Sequence, residues 1–227
     1  MDKVADLRRC LSLCVDAFDR PNGDAADEEP VAFAFRAYPK NSVPEEVLLK
    51  VVVLNQWSNT HLPGGRVLRD VSGRIMRLGL DSRIASRLLD LQLVTDLAKG
   101  IGVGFAGRFS FATQYCYWAR RTVRPDYPPY PIFDSNAQRA IHRIAKTIDL
   151  TDGTGLKQIT RSQPWDMRTW TKVQSNLLGA LFLEDRWTFR QLDKGLYKLG
   201  SVLRYKTDTP DWDRAISELG HQPPAWL

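Results

Sequence analysis

A chain of 227 residues, 43% of them hydrophobic and 26% charged, is long enough for one domain or for two small lobes sharing a core. No apolar run approaches the roughly 18 residues that a membrane span needs, and Asp and Arg interrupt the first helix-like stretch, so it does not read as a signal peptide. The 32 Lys and Arg against 26 Asp and Glu leave a net charge of +6, which suits a polyanionic partner and equally suits a merely basic surface.

The first element is amphipathic: Leu7, Leu11, Cys14, Val15 and Phe18 form one apolar stripe, ended by Pro21-Asn22-Gly23. Cys10, Cys14 and Cys116 are an odd set with no His or Cys at metal-ligand spacing, and His61, His142 and His221 are scattered. The cysteines therefore read as small apolar residues, neither a disulfide framework nor a metal site, in a reducing cytoplasm. An acidic, turn-rich stretch from Pro21 to Pro30 follows. Val31-Ala32-Phe33-Ala34-Phe35 then alternates weakly and predicts a short strand.

Ser42-Val43-Pro44-Glu45 has the form of a capping box, predicting a helix through Leu48, Val51 and Val52 towards Trp57. His61-Leu62-Pro63-Gly64-Gly65 breaks it. A third helix uses Val67, Val71, Ile75 and Leu78 and stops at Gly79. Asp81 then caps a fourth, with Ile84, Leu88 and Leu91 on its inner face. Further on, Ala137, Ile141, Ile144 and Ile148 mark one helix, and Trp170, Val173, Leu177 and Leu181 mark another. Phe189, Leu192, Leu196, Leu199 and Leu203 mark a third, and Thr209-Pro210 opens a last short one closed by Gly220. The fold class is all-α, with at most a minor N-terminal strand.

Between these helices lies the stretch that carries chemistry. Lys99-Gly100-Ile101-Gly102-Val103-Gly104 ends one helix and opens another, which is aromatic through Trp118. Glycines at such a bend allow close approach to a ligand, and the amides of the second helix start can hold a phosphate without reading sequence. A dinucleotide site is a weaker reading, because no strand precedes the glycines. Downstream, Tyr127-Pro128-Pro129-Tyr130-Pro131 leads through Ile132-Phe133 to Asp134 at the start of a helix. Locally Asp134 reads as an N-cap. The same exposed amides favour its ionised form, the state that would stabilise an oxocarbenium-like sugar or activate a nucleophile.

A Gly-x-Gly hairpin, one helix, then Pro-Ile-Phe-Asp entering another helix resembles the signature of the helix-hairpin-helix DNA glycosylases. It is most similar to compact bacterial proteins with an 8-oxoguanine-glycosylase-like fold, some of them associated with antiviral defence genes. Ser110-Phe111-Ala112-Thr113-Gln114-Tyr115, Tyr130 to Ser135, and Phe189 to Gly200 carry the likeness, which spans roughly residues 90–200. The resemblance implies a two-lobed helical fold and does not reach the first 40 residues; the expected division is an N-terminal helix and loop, 1–45, packed on a glycosylase-like body, 46–227, with the hairpin at 97–106.

It also implies a function: DNA (or RNA) is bound, one nucleotide is flipped out, and the N-glycosidic bond of a damaged, 8-oxoguanine-like purine is cleaved. Asp134 is the implied catalytic carboxylate. Where bifunctional members carry a Schiff-base lysine, this chain has Gln114, twenty residues before Asp134, or on the glycine-anchored alignment Gly104. Glutamine forms no Schiff base, so the resemblance implies a monofunctional, inactive or deliberately inactivated form. The alternatives are a non-catalytic nucleic-acid-binding module and an adaptor in a defence or repair complex.

On this reading Lys99, Gly100, Gly102, Gly104, Arg108, Arg121 and Arg124 hold the phosphate backbone, with Arg120 beside them. Tyr115, Trp118, Phe133, Asp193 and Tyr197 line a base pocket, though each aromatic also suits a core, and Asp193 a solvated helix face. No cofactor or metal is implied beyond a monovalent cation that the hairpin could hold. Partners are nucleic acid and repair or defence proteins, and no membrane.

Overall fold

The computed structural model describes residues 3–58, 60, 62–99, 101, 105–147, 166–181 and 183–203. Among these residues ten α-helices run in the order α1 (Lys3–Phe18), α2 (Glu29–Ala37), α3 (Pro44–Trp57), α4 (Gly64–Arg77), α5 (Leu80–Ile84), α6 (Leu91–Ala98), α7 (Phe105–Val123), α8 (Ser135–Thr147), α9 (Met167–Ala180) and α10 (Phe189–Val202). Among the described residues there is no strand, so the all-α class holds. The stretch 31–35 is the correction: it lies inside α2, with Pro30 in its first turn. Val31, Ala34 and Phe35, spaced i, i+3, i+4, are its buried residues. A five-residue alternation of small and large apolar side chains satisfies both periods, and the tertiary packing selects the helical one.

The chain divides into two compact units: Met1–Ala26, Phe133–Gln163 and Trp170–Leu227 in one, Asp27–Ile132 and Pro164–Thr169 in the other. In the first, α10 packs against α1 and against α8. Two glycines on α10 make both approaches close. A Cβ at Gly195 would stand 3.3 Å from Leu11 Cδ2, and one at Gly200 would overlap the carbonyl oxygen of Asn136. The core of this unit is the predicted set: Leu7, Leu11 and Cys14 of α1, Ile141 and Ile144 of α8, and Leu192, Leu196 and Leu199 of α10, each fully buried. Lys194 and Lys198 of α10 pair with Asp19 at 2.5 Å and Asp24 at 3.0 Å, fixing the turn that follows α1. α9 carries Trp170 and Leu177, both fully buried, as its apolar spacing predicts.

In the second unit α7 is central, packed by α2, α3, α5 and α6. Phe109, Phe111, Ala112, Tyr115, Cys116, Tyr117, Trp118 and Ala119 are all buried along it, so this helix is enclosed on nearly every side. Cys10, Cys14 and Cys116 are free and buried, as small apolar residues should be. Among the described residues no group of His, Cys, Asp and Glu could hold a metal, and no helix is long and apolar enough to cross a membrane.

Three local expectations in this unit need correction. α3 starts at Pro44 as predicted, but its N-cap is Val43 and no side chain caps it, so Ser42 closes no capping box. Gly79 does end the preceding turn, in the left-handed region at φ +58°, where a non-glycine residue would be strained. It also serves as the N-cap of α5, and Asp81 does not. The Asp81 carboxylate instead accepts the Asn41 backbone N–H at 2.9 Å and its side-chain Nδ2–H at 2.6 Å. Finally, the fourth predicted helix is two helices with a loop between them: α5 ends at Ile84, α6 begins at Leu91 capped by Asp90, and Leu88 is 79% exposed. The last predicted helix, from Thr209 to Gly220, lies outside the described residues.

Candidate functional site

The segment Tyr130 to Phe133 is buried and has no regular secondary structure, and it delivers Asp134 to the first turn of α8. There Asp134 acts as an N-cap. Its Oδ1 accepts the Asn136 N–H at 2.6 Å, and its carbonyl accepts the Gln138 N–H at 2.9 Å. The side chain is half-buried. Burial raises its pKa above the usual carboxylate value, and the amides of Asn136 and Ala137, the Arg139 charge and the Ser135 amide pull it back only in part. The sequence predicts that the helix start would favour the anion. The amides do act in that direction, but desolvation outweighs them.

The placement of this turn rests on α10. Gly200 presses against Asn136, and the Arg139 guanidinium donates to Gly200 O at 3.1 Å and to Asn136 Oδ1 at 2.6 Å. No larger residue fits at Gly200 without moving the backbone two residues after Asp134. A glycine inside a strongly periodic helix was the signal available in the sequence.

In the same unit, Phe133 is a core residue, edge-on to Trp170 at 5.0 Å. Tyr197 is half-buried and packs edge-on to Phe18 at 5.9 Å. Asp193 is 3% exposed, so the solvated-face alternative is corrected: its carboxylate accepts a short hydrogen bond from the fully buried Gln174. Gln174 brings a neutral donor into the interior for a carboxylate that α10 places there, and sequence reasoning missed it.

The remaining candidates belong to the second unit. Gly100, Gly102 and Gly104 lie outside the described residues. Around them, α6 ends at Ala98 and α7 opens at Phe105, and the two helices pack together. Lys99 is exposed and lines a small cleft with Gln92, Thr95, Asp166 and Arg168. Gln114 is nearly buried, its amide nitrogen 3.3 Å from Ser110 Oγ on its own helix. Tyr115 is a core residue whose hydroxyl donates to Asn41 Oδ1 at 2.7 Å, and Trp118 is 5% exposed.

The basic residues of α7 separate sharply. Arg108 is half-buried. Arg120, expected along the phosphate track, is fully buried and serves the backbone: Nε donates to Pro128 O at 2.9 Å, Nη1 to Ile84 O at 2.8 Å and Ser86 O at 2.9 Å, and Nη2 to Arg87 O at 3.1 Å. Its neighbour Arg121 is exposed, with its guanidinium 5.4 Å from the Trp118 ring centre and 5.9 Å from that of Tyr117. Arg124 lies over Tyr127 at 4.2 Å. Stacking on a ring fixes a guanidinium plane while leaving N–H groups for an anion.

A second buried cation, Lys50, was also missed. Its ammonium donates to Lys40 O at 2.7 Å and Asn41 Oδ1 at 2.8 Å, and the Phe35 ring centre is 5.3 Å away. Burial pushes its pKa down to about 8, against the opposing pull of Asp81 and Glu46.

A family model described as an N-terminal domain, HI_0787_N, matches residues 11–123, from the middle of α1 to the end of α7. The match takes in most of the second unit and stops before Asp134. No curated protein and no solved structure matches the chain.

Proposed function

We propose that the protein binds DNA and excises a damaged or modified base as a monofunctional N-glycosylase, with Asp134 as its catalytic carboxylate. The observation that carries this reading is the state of Asp134, a half-buried carboxylate fixed at a helix start by the Asn136 amide. A partly desolvated anion interacts more strongly with positive charge developing nearby than a solvated one does. Beside an extruded nucleotide it would stabilise the sugar as the C1′–N bond breaks. Water would supply the oxygen that bonds to C1′, one of its protons would leave to solvent, and the departing base would take up a proton at the released nitrogen. The stacked arginines Arg121 and Arg124, with exposed Lys99, supply cations for the phosphate backbone. A purine related to 8-oxoguanine is the substrate that the sequence resemblance suggests.

The test is base release from a panel of duplexes carrying oxidised, alkylated and deaminated bases, with Asp134→Asn as the control. Release by the parent protein and none by Asp134→Asn supports the reading. Equal release by both, or none from any duplex by either, would falsify it.

One observation favours a second reading, a nucleic-acid-binding module without chemistry. Gln114, at the position where bifunctional relatives would carry lysine, is nearly buried and bonded within its own helix. That reading expects salt-sensitive DNA binding with no base release from any substrate.

A further inference from the structure

Asn136, two residues after Asp134, is gripped from three directions. Its backbone N–H donates to Asp134 Oδ1 at 2.6 Å, its side-chain Oδ1 accepts from Arg139 at 2.6 Å, and its carbonyl lies against Gly200 of α10. The Arg139 guanidinium uses the same nitrogen, Nη1, to donate to Gly200 O at 3.1 Å. Gly200 stands in the last turn of α10, where the carbonyls carry the negative end of the helix dipole and favour a cation. All four residues belong to the first unit.

Arg139 also supplies the charge that acts on Asp134, pulling against the burial that raises its proton affinity. The titratable side chains of α10, the helix packed against α8, are engaged elsewhere. Arg190 lies over the Phe18 ring, Tyr197 packs edge-on to it, Asp193 is bound by Gln174, and Lys194 and Lys198 pair with Asp19 and Asp24. On α8 itself His142 and Arg143 stand more than two turns beyond Asp134. A neutral amide would serve as a latch between two helices at a lower desolvation cost than a guanidinium. The charge is the part that a latch does not need.

We propose that Arg139 is a positioning residue for Asp134: it pins the α8 turn to α10 through one nitrogen, and its charge keeps the carboxylate ionised for the reaction. The inference rests on the reading above that Asp134 is the catalytic carboxylate, and it adds what sets the acid limit of that activity. A carboxyl covered by the fold takes up a proton more readily than one in water, and a fixed cation nearby offsets that tendency without touching substrate. Base release should therefore fail at acid pH through protonation of Asp134, at a pH that Arg139 determines.

The experiment follows the Asp134 carboxyl by carbon NMR in the full chain without DNA, assigned with Asp134→Asn, alongside base release against pH on a duplex that the parent cleaves. Arg139→Gln keeps donors for Asn136 and Gly200 and removes the charge, whereas Arg139→Lys keeps the charge. In Arg139→Gln the carboxyl should titrate at higher pH than in the parent, and the acid limb of base release should move up with it. That appears as a several-fold loss at the acid end and release within about twofold of the parent on the alkaline plateau. Arg139→Lys should return both midpoints towards those of the parent. An unchanged carboxyl titration in Arg139→Gln, a loss by the same factor at every pH, or a variant that no longer folds makes Arg139 a structural latch and overturns the inference. A carboxyl that moves while the limb stays leaves the hold of Arg139 on Asp134 standing and removes Asp134 from catalysis. No release at any pH ends the glycosylase reading alone, because the NMR titration needs no substrate.

Discussion

Lys50 in one unit and Asp134 in the other are both charged groups drawn out of water, and burial moves each towards its neutral form. Their surroundings differ. Lys50 has no exposed surface and spends its protons on Lys40 O and Asn41 Oδ1, while Asn41 is in turn bound to Asp81 and Tyr115. Asp134 is only half-buried, at the open end of a helix. A cation enclosed by its acceptors can hold a loop to two helices and do little else. An anion at a partly open helix start keeps access to something outside the protein. The contrast shows that a displaced proton affinity is not by itself a mark of chemistry; access decides which of the two groups can react.

The comparison can be broken in four ways, in order of expected effect. Asp134→Asn should lower base release at least about 100-fold, the scale expected when a preorganised electrostatic partner is lost. Its melting temperature should hardly move, because asparagine caps a helix about as well as aspartate. A variant that melts far lower would make Asp134 structural and erase the distinction drawn here.

Gly200→Ala places a methyl carbon against Asn136 O, and relief requires the start of α8 to shift. A loss of about 1–3 kcal/mol in denaturant unfolding is expected, together with reduced base release, since the displaced turn carries Asp134. Unchanged release would show that the placement of that turn is not critical.

Lys50→Met should cost about 1–3 kcal/mol through the unpaired Lys40 and Asn41 oxygens while leaving base release per folded molecule unchanged. Loss of activity in a fully folded Lys50→Met protein would show the enclosed group to be more than a latch.

The smallest effect is a pH signature. Lys50 titrates at about 8 folded, against an ordinary 10.5, so the unfolded chain binds more protons between those values. Stability should therefore rise with pH across that window, and this part of the rise should vanish in Lys50→Met. Asp134, with its pKa raised, contributes in the opposite direction and at acid pH. The contribution is complete below the ordinary value of 3.8 and is lost as pH climbs through the raised one. Asp134→Asn should remove that acid-side slope in unfolding experiments.

The sequence made most of the helices legible, because α1, α8, α9 and α10 each repeat an apolar residue every three or four positions over three turns or more. It misled where the pattern was short. Ile84, Leu88 and Leu91 keep helical spacing across a loop, and nothing local reveals that Arg120, more than thirty residues on, takes the carbonyls that a continuous helix would have used. The buried cations were illegible for the same reason. Lys50 and Arg120 resemble surface residues in sequence, and Tyr115, which shares Asn41 with Lys50, stands 74 positions from that asparagine. At the candidate site the helix-capping role of Asp134 was readable from Pro-Ile-Phe-Asp entering an apolar repeat. Its proton affinity was not, because the balance between amides and desolvation depends on how deeply the folded chain covers the carboxylate.

Arg120 has a consequence for motion. Its four hydrogen bonds lie on two loops that are distant in the chain, and a guanidinium keeps its charge at every pH a protein survives. Neither loop can peel away without stranding that charge among unpaired carbonyls. The two therefore breathe as one body, and amide exchange around 84–87 and at Tyr127, beside Pro128, should share a single opening energy.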